Sequence, residues 1–309
     1  MPELPEVQTV VSDLNEKILG DTITDFWSAW PKAIKKKTLA RFKKEIIGRK
    51  ILGVRRIGKN IFVDLSGGKI LYLHLKMTGH LLVKARENFQ FPISNFQSNS
   101  KFKKSNLQTD DNENYFEDKV NQYIRHSWVL KDGKGNIKNL DFSDMRKFAK
   151  IVLEDTDKIE NLPEIKSLGI DAMDLQFNLT RFNEILEKKK KTAIGILLMD
   201  QHLIAGIGNI YRSEILFAAR VSPERKSGDL TQYERKKVFQ ATKSILEKAI
   251  KMRGTTDSDY RDTSGAPGGF QKVLRVYGKT GEKCQKCGTI IERNKMGQRS
   301  VFYCPVCQK

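Results

Sequence analysis

All four cysteines of the chain lie within its last 26 residues, and their spacing constrains that end more strongly than any other feature. They form two CxxC pairs separated by sixteen residues. In a reducing compartment such pairs predict a bound zinc ion, and two disulfides are the alternative. Four thiolates complete a tetrahedron and leave no position for a substrate, so the predicted ion is structural. The expected ligands of this single Zn²⁺ are Cys284, Cys287, Cys304 and Cys307.

The composition points to a partner of opposite charge. The 309 residues carry a formal net charge of +19, and the pI is about 9.7. Such a basic excess is typical of proteins that bind a polyanion, most often a nucleic acid. An anionic membrane surface and a charge that serves only solubility are the alternatives. No apolar run approaches the ~18 residues of a membrane span, and no export signal is recognisable, so we expect a cytoplasmic protein without a membrane partner.

Hydrophobic periodicity divides the chain into two halves. After Pro5, apolar residues recur at helical spacing as far as Gly20, which predicts a first helix with proline in its first turn. The first half is then expected to be a β-sandwich with flanking helices. Its β-branched and aliphatic runs predict strands at residues 46–57, 61–65, 70–75, 127–131, 137–142 and 151–154.

The second half has helical patterns at residues 180–191 and 210–219, and a capping box of Thr231 and Glu234 predicts another helix. The fold class is therefore α+β, with a hairpin-type zinc finger at the end. The predicted domains are 1–155 for the β-sandwich, 156–255 for the helical domain and 256–309 for a loop and the finger. Residues 86–122 are polar and lack periodicity, which predicts a mobile insertion in the first domain.

The chain opens with the run MPELPEV, which places a proline next to a carboxylate. Removal of Met1 would leave Pro2 with a free secondary amine, and an α-amine titrates near pH ~8. A useful fraction of such an amine is neutral at pH 7 and can attack a sugar carbon to form a Schiff base. A turn-forming dipeptide on a frayed terminus is the alternative.

Residues 206–211 (GIGNIY) suggest a second functional turn. Tyr211 stands where a dinucleotide-binding fingerprint requires its third glycine, so that function is rejected. The glycines permit a tight turn, and Asn209 is predicted to cap the following helix. Free amides at a helix N-terminus bind phosphate, and the Asn209 side chain could donate to the same group. A purely structural cap is the alternative.

Four features together resemble the formamidopyrimidine-DNA glycosylases, the bacterial family that repairs 8-oxoguanine. They are the opening PELPEV, the triplet RKF at 146–148, the segment from MDQ at 199–201 through GIGNIY, and the four-cysteine finger, and they run the length of the chain. Leu4 favours this branch over its endonuclease VIII relatives, which usually carry glycine there. The resemblance implies a helix-two-turns-helix domain, and a monomer associated with the bacterial nucleoid.

The resemblance also implies a bifunctional glycosylase and abasic-site lyase of base excision repair. Pro2 would attack C1′ of the damaged nucleoside, Glu3 would assist opening of the sugar ring, and Glu6 would support the amine electrostatically. Lys59, at a hairpin tip, would assist proton transfer in β-elimination, and Arg299 would assist the final elimination. The substrates would be 8-oxoguanine, formamidopyrimidines and abasic sites in double-stranded DNA.

A second set of residues would contact the DNA once the damaged base is everted. An apolar wedge and a guanidinium would fill the vacated space, and the matching residues are Met77, Arg146 and Phe148. Taken alone, Met77 and Phe148 are more often core residues. Residues 264–270 resemble a mobile loop that covers the everted base, with a flexible linker as the alternative. Further contacts, mainly to phosphates, are expected from His74, His126, Lys191, Asn209 and Tyr277.

Three features depart from the family pattern. Gly195 stands where relatives often have a lysine near the lesion, which leaves the preference between 8-oxoguanine and ring-opened purines open. Ala149 replaces the usual glycine after Phe148, and the 86–122 insertion is longer than expected. Two other functions remain as alternatives: an endonuclease VIII-like glycosylase for oxidised pyrimidines, and a zinc-finger DNA-binding protein without catalysis.

Overall fold

The structure, a computed structural model, describes residues 1–85 and 115–309. Most of the predicted insertion, residues 86–114, lies outside the described residues. The first half is built from antiparallel strands, as the sequence pattern predicts. These strands are β1 (Thr22–Ser28), β2 (Ile51–Ile57), β3 (Asn60–Leu65), β4 (Lys69–His74), β5 (Gly79–Ala85), β6 (Ile124–Lys131), β7 (Ile137–Asp144) and β8 (Lys150–Asp155).

The eight strands form two four-stranded sheets, which confirms the predicted β-sandwich. One sheet has the order β1-β6-β7-β5 and the other β2-β3-β4-β8. Side chains from both sheets meet in one buried core that includes Phe26, Trp128, Ile61 and Leu73. The β4–β5 and β7–β8 connections each pass from one sheet to the other. Because β4 pairs with β8 and β5 with β7, both turns lie at the same end of the sandwich.

Two helices accompany the sandwich, α1 (Leu4–Ile18) and α2 (Leu39–Ile46). The prediction of a strand from residue 46 is wrong at its start, because Ile46 ends α2 and the strand begins at Ile51. Thr38 caps α2 by accepting a hydrogen bond from the Arg41 N–H at 3.3 Å. Phe42 and Ile46 are buried on one face of this short helix, so its apolar residues follow helical and not strand periodicity.

The second half is mainly helical and has its own core, which includes Phe182, Leu197, Tyr211 and Leu246. Its longest helix begins with the capping box predicted at Thr231. The helices after the sandwich are α3 (Thr156–Glu160), α4 (Pro163–Lys166), α5 (Leu179–Lys188), α6 (Ile194–Leu197), α7 (Asn209–Ala219) and α8 (Gln232–Lys251), and the short parallel strands between them are β9 (Ile170–Asp171) and β10 (Ile204–Ala205).

The chain ends in an antiparallel hairpin, β11 (Glu292–Met296) and β12 (Arg299–Tyr303). Residues 115–122, at the end of the predicted insertion, form two short 3-10 helices, and Asn121 is fully buried. Across the described ranges, no helix is both long enough and apolar enough to cross a bilayer. The 3-10 helices are Pro31–Ala33, Tyr115–Glu117, Lys119–Gln122, Ser227–Asp229 and Phe270–Val273.

Candidate active site and nucleic-acid interface

Glu3 is held by the first turn of α7. Its carboxylate accepts hydrogen bonds from the N–H groups of Gly208 (2.8 Å), Ile210 (2.9 Å) and Tyr211 (3.4 Å), and Glu3 is only 3% exposed. A helix N-terminus favours negative charge because its amides are unpaired and its dipole is positive there. The carboxylate next to Pro2 is therefore fixed by the second half of the chain.

This contact corrects two predictions about residues 206–211. Gly208 is the N-cap of α7 and Asn209 is the first helical residue, so Asn209 does not cap the helix. The amides expected to bind a phosphate bind Glu3 instead. Both glycines are needed for this close approach, because a Cβ on Gly208 would lie 2.4 Å from Glu3 Cδ and a Cβ on Gly206 would lie 2.4 Å from Leu4 Cδ1.

Lys59 lies in the turn between β2 and β3, is 7% exposed and donates from Nζ to the Ile207 carbonyl at 3.0 Å. The turn is anchored to the second half because Asp171 accepts from the Gly58 N–H at 2.6 Å. Burial lowers the pKa of Lys59, and the nearby Glu3 acts against this shift. A lowered pKa makes the neutral amine more accessible, which suits a group that transfers protons.

Glu6 joins three segments of the chain and is 1% exposed. It accepts hydrogen bonds from the Glu3 N–H at 2.7 Å, the Tyr211 hydroxyl at 2.5 Å and the Thr255 N–H at 2.7 Å. Burial and the charge of Glu3 raise the pKa of Glu6 to about 7 despite these hydrogen bonds. The site therefore contains two carboxyl groups in different surroundings, one bound to a helix terminus and one deeply buried.

Pro2 is buried beside this centre, whereas Met1 is 48% exposed. The Leu4 N–H donates to the Gly206 carbonyl at 3.0 Å, and Glu3 is bound to α7. Glu3 and Leu4 are thus held by hydrogen bonds to the second half of the chain, so the N-terminus is not frayed.

Met77, Arg146 and Phe148 form an exposed tip at the end of the sandwich where both inter-sheet turns lie. Met77 is 38% exposed and Phe148 is 52% exposed, so neither is a core residue. The Arg146 guanidinium lies 4.8 Å from the centre of the Phe148 ring and donates to the Met77 sulfur at 3.2 Å. The structure therefore brings together the three residues predicted to fill the space of an everted base.

Buried polar groups hold the two turns of this tip in register. Asp144 accepts from the Thr78 hydroxyl at 2.6 Å and from the Ala149 N–H at 2.9 Å. Thr78 in turn accepts from the Arg146 N–H at 3.1 Å. Ala149 is buried, so the residue that departs from the family pattern packs inward at the base of the tip.

The predicted phosphate contacts lie in several places. Asn209 and Tyr277 are half-buried near exposed Arg299, on the side of α7 that faces the terminal hairpin. His74 ends β4, and its Nδ1 accepts from the Lys76 N–H at 2.9 Å. Burial lowers the pKa of His74 to about 3, so this ring is neutral at pH 7. Exposed Lys191 follows α5, and its side chain makes no hydrogen bond or ion pair with the described residues.

The prediction that His126 contacts DNA is wrong. His126 is 1% exposed, lies within strand β6 and packs among the rings of Phe26, Trp128 and Phe142 in the sandwich core. Its Nδ1 forms a hydrogen bond with the Ser28 hydroxyl at 2.9 Å. Burial lowers the pKa of His126 to about 4, so it is a neutral core residue at pH 7.

The four cysteine sulfurs gather at one end of the terminal hairpin, all within 4.8 Å of one another. Two of the distances between sulfurs are 3.5 and 3.9 Å, too long for disulfides and suited to a tetrahedral zinc ion with Zn–S bonds of about 2.3 Å. Backbone N–H groups of Lys286 and Cys307 point at the sulfurs of Cys284 and Cys304. The donor set therefore fits a closed, structural metal site.

The segment that resembles a base-covering loop is packed against two neighbours. Asp262 is buried and accepts from the guanidinium of Arg253 and from the Ala266 N–H. Asn121, at the end of the insertion, donates to the Gly265 carbonyl at 3.1 Å. A flexible linker does not describe this segment, because the Gly269 N–H donates to the carbonyl of Met252, the C-cap of α8, and the Gly265 carbonyl accepts from the insertion.

Sequence reasoning missed the residues that brace the site. Gln201 donates to the Ile207 carbonyl at 2.7 Å and accepts from the Gly206 N–H at 2.9 Å, which fixes the loop that holds Lys59. The sequence shows Gln201 within the MDQ motif, but the motif alone does not indicate that Gln201 braces this loop. Tyr211 and Arg212 are fully buried on α7, and only the fold reveals what their polar groups contact.

Comparison with known families covers nearly the whole chain. Residues 1–151 match the formamidopyrimidine-DNA glycosylase N-terminal domain, residues 168–261 match the H2TH domain of the same enzymes, and residues 281–309 match a zinc finger found in FPG and IleRS. The fold and the site thus define a DNA repair glycosylase with a zinc finger. The chain belongs to the formamidopyrimidine-DNA glycosylase family.

Individual relatives agree with this assignment. The chain is 36% identical over 312 residues to the formamidopyrimidine-DNA glycosylase of Pelotomaculum thermopropionicum, with 100% of this chain and 99% of the relative covered. It is 33% identical to that of Ureaplasma parvum, with full coverage of both. Among solved structures, a Lactococcus lactis Fpg bound to DNA with an abasic site has a TM-score of 0.79 at 29% identity and 99% coverage of each chain. The Thermus thermophilus protein has a TM-score of 0.77 at 30% identity, with 99% of this chain and 98% of that chain covered.

Proposed function

We propose that this chain is a bifunctional glycosylase and abasic-site lyase, whose nucleophile is the amine of Pro2 after removal of Met1. The observation that carries the proposal is the fixed position of Glu3, which α7 amides hold directly beside Pro2. Lys59 and Glu6 border the same centre and have shifted pKa values. A protein that only binds DNA has no need of such a centre, because buried ionisable groups cost stability.

The chemistry follows from these groups. The Pro2 nitrogen forms a bond to C1′ while the bond from C1′ to the damaged base breaks, and the base leaves with a proton taken from water. The Glu3 carboxylate takes up the proton that the Pro2 nitrogen loses and delivers it to the ring oxygen O4′, so the sugar ring opens and an iminium linkage forms between Pro2 and C1′. The iminium acidifies the 2′ proton, and Lys59 assists its transfer, so the 3′ phosphate leaves by β-elimination. Arg299 assists the loss of the 5′ phosphate in a second elimination.

The substrates we propose are oxidised purines, namely 8-oxoguanine and formamidopyrimidines, in double-stranded DNA. Two Lactococcus lactis structures similar to this chain contain DNA with Fapy-dG, a formamidopyrimidine. The exposed tip of Met77, Arg146 and Phe148 supports base eversion, because it offers an apolar wedge together with hydrogen-bond donors for an orphaned base. Exposed Lys191 and Arg299 suit contacts with phosphates.

Zinc is proposed to serve the fold alone. Four thiolates leave no open position, so the metal would hold the hairpin that carries Arg299 and take no part in a chemical step. The protein is proposed to act as a monomer on nucleoid DNA in the cytoplasm. The net charge of +19 supports a salt-sensitive attraction to the duplex.

The proposal is tested by borohydride trapping on a duplex with 8-oxoguanine opposite cytosine. Protein whose mass shows loss of Met1 should form a covalent complex and cut the strand. The matched control is the same chain with extra residues ahead of Met1, which leaves the Pro2 nitrogen as an amide. We expect this control to bind the duplex and to form no covalent complex.

Two results would change the assignment. Trapping that persists in the N-terminally extended protein would show that another amine is the nucleophile. Binding of the duplex without trapping or cleavage, by protein that has lost Met1, would exclude this lesion as the substrate. A thymine glycol duplex would then separate an endonuclease VIII-like enzyme from a protein that only binds DNA.

A further inference from the structure

Arg212, on α7, is a fully buried arginine that the proposed chemistry does not use. It is 0% exposed, and none of the carboxylates in residues 1–85 and 115–309 forms an ion pair with it. Its Nε has no hydrogen-bond partner among these residues. Burial lowers the pKa of Arg212 to about 10, and the nearby charge of Arg299 lowers it further, while Glu3 raises it. A charge that is buried without a counter-ion costs stability, which favours a role for Arg212 in function over a role in stability.

The two terminal nitrogens of the Arg212 guanidinium donate hydrogen bonds to three segments of the chain. Nη1 donates to the Gly195 carbonyl at 3.2 Å, and Nη2 donates to Asn209 Oδ1 at 2.5 Å and to the Ser300 carbonyl at 2.8 Å. Arg212 therefore links three segments: α6, the Asn209 side chain in the first turn of α7, and strand β12, which begins at Arg299. The planar fork of arginine suits several acceptors at once, whereas lysine is a point charge.

Gly195 allows the hairpin to approach this junction. A Cβ at this position would lie 2.8 Å from the Met296 sulfur and 2.9 Å from the Pro223 carbonyl oxygen. Without a side chain at 195, the tip of the hairpin packs on α6, and the Gly195 carbonyl accepts a hydrogen bond from the Arg212 guanidinium. The departure of Gly195 from the family pattern therefore has a structural reason in this chain.

The bond to Asn209 decides which way its amide faces. Because Oδ1 accepts from a guanidinium, the Nδ2 group must face away from Arg212. Nδ2 carries two hydrogens. Asn209 is half-buried, so these hydrogens are available to an external acceptor on the side of the amide away from Arg212.

We propose that Arg212 is a positioning residue of the nucleic-acid interface, which holds the Asn209 amide with Nδ2 toward a DNA phosphate and couples it to the hairpin strand of Arg299. The phosphate supplies the negative charge that Arg212 lacks within the protein. The inference rests on the proposed contact with DNA, and it does not depend on the chemistry at Pro2.

The test is a double-mutant cycle in the zinc-loaded, full-length protein. The dissociation constant is measured for a duplex that carries tetrahydrofuran at the lesion position, which has no base to release. We expect Asn209→Ala to weaken binding about 10-fold in the wild type, the effect of losing one hydrogen bond to a charged group. In the Arg212→Met background, the same change should weaken binding less than about 2-fold, because the amide is no longer oriented.

Two further variants separate orientation from charge and from stability. Arg212→Lys keeps the charge and should still abolish most of the Asn209 effect. Arg235→Met is the matched control, because Arg235 of α8 is also buried but forms an ion pair with Glu187 of α5. It should lower the melting temperature and leave the full Asn209 effect.

The inference is overturned if Asn209→Ala costs the same in the Arg212 variants as in the wild type. If Arg212→Met does not fold, the Arg212→Lys cycle decides alone. Wild-type protein that has lost Met1 and binds the duplex but fails the trapping assay would exclude 8-oxoguanine as the substrate and leave the Arg212 inference intact.

Discussion

The centre around Glu3 and the tip formed by Met77, Arg146 and Phe148 are both proposed to act on DNA, yet they are held in different ways. Glu3 and Glu6 are 3% and 1% exposed, and hydrogen bonds from other segments fix both carboxylates. Met77 and Phe148 are 38% and 52% exposed, and their main polar neighbour is Arg146.

This difference in burial matches the different tasks proposed for the two regions, catalysis for the centre and DNA recognition for the tip. Groups that move protons gain from dipoles that are oriented before the substrate arrives, so the protein itself supplies their partners. Groups that enter a duplex must stay exposed until the DNA surrounds them, so the fold positions only their backbone. Substitutions in the centre should therefore affect catalysis most, and substitutions at the tip should affect excision with little change in stability.

The largest expected effect is at Glu3. Glu3→Gln would turn an amide donor toward the N–H groups of α7 and remove the acid, so we expect base release to fall about 100-fold or more. Single-turnover release of 8-oxoguanine measures it. The matched control is Glu16→Gln on the exposed face of α1, which should retain activity. A loss of less than about 10-fold in Glu3→Gln would contradict the assigned role.

The second largest effect is expected from loss of the metal. It would affect DNA binding through a third region, the terminal hairpin. Cys304→Ser should release the hairpin that carries Arg299, since metal binding and folding of such a site are coupled. We expect DNA affinity to fall at least about 10-fold. The sandwich should keep its melting transition because its core is separate. Metal analysis, calorimetry and binding titration provide the measurements, and unchanged affinity in metal-free protein would disprove the coupling.

Two phenylalanines of the same strand region test the comparison directly. Phe148→Ala should change the free energy of unfolding by no more than about 0.5 kcal/mol, because the ring is exposed, and should slow excision roughly 10-fold. Phe142→Ala should destabilise the sandwich by about 3–5 kcal/mol, because its ring is fully buried. Denaturant unfolding and single-turnover excision measure both. Comparable destabilisation by the two changes would refute the distinction.

The smallest effect concerns pH and His126. Its pKa is about 4 in the folded protein and about 6.5 in an unfolded chain, so the unfolded state binds the proton more readily. Stability from this residue is therefore present above pH 6.5 and is lost as the pH falls toward 4. His126→Gln should flatten the fall in unfolding free energy across this window. Equal slopes for both proteins in denaturant titrations would argue against the buried neutral ring.

Much of the fold could be predicted from local patterns. The helical spacing from Val7 to Ile18, the strand patterns of the sandwich and the capping box at Thr231 appear in the structure close to their predicted places. The errors lie where local signals compete. The β-branched Ile46 favours a strand at residues 46–50, although burial of Phe42 and Ile46 on one face stabilises a helix.

The candidate site was predictable in its residue types but not in its contacts. The pairing of Pro2 with Glu3 and the spacing of the cysteines are short-range features that the sequence displays directly. The use of α7 amides by Glu3, however, depends on segments more than 200 residues apart, and so does the burial of Glu6 against Thr255. His126 was misplaced because strand β6 could not be aligned with its neighbours from the sequence alone.

By itself, the amino-acid sequence determined the two kinds of periodicity, the metal-binding cysteines and the chemical groups near the N-terminus, because these depend on neighbours along the chain. Only the tertiary structure decided that two turns between the sheets bring Met77 beside Arg146, and that the buried Arg212 contacts Asn209. These contacts arise from the order of strands and the packing of helices. Their energies depend on groups that are distant in the chain, so no local pattern records them.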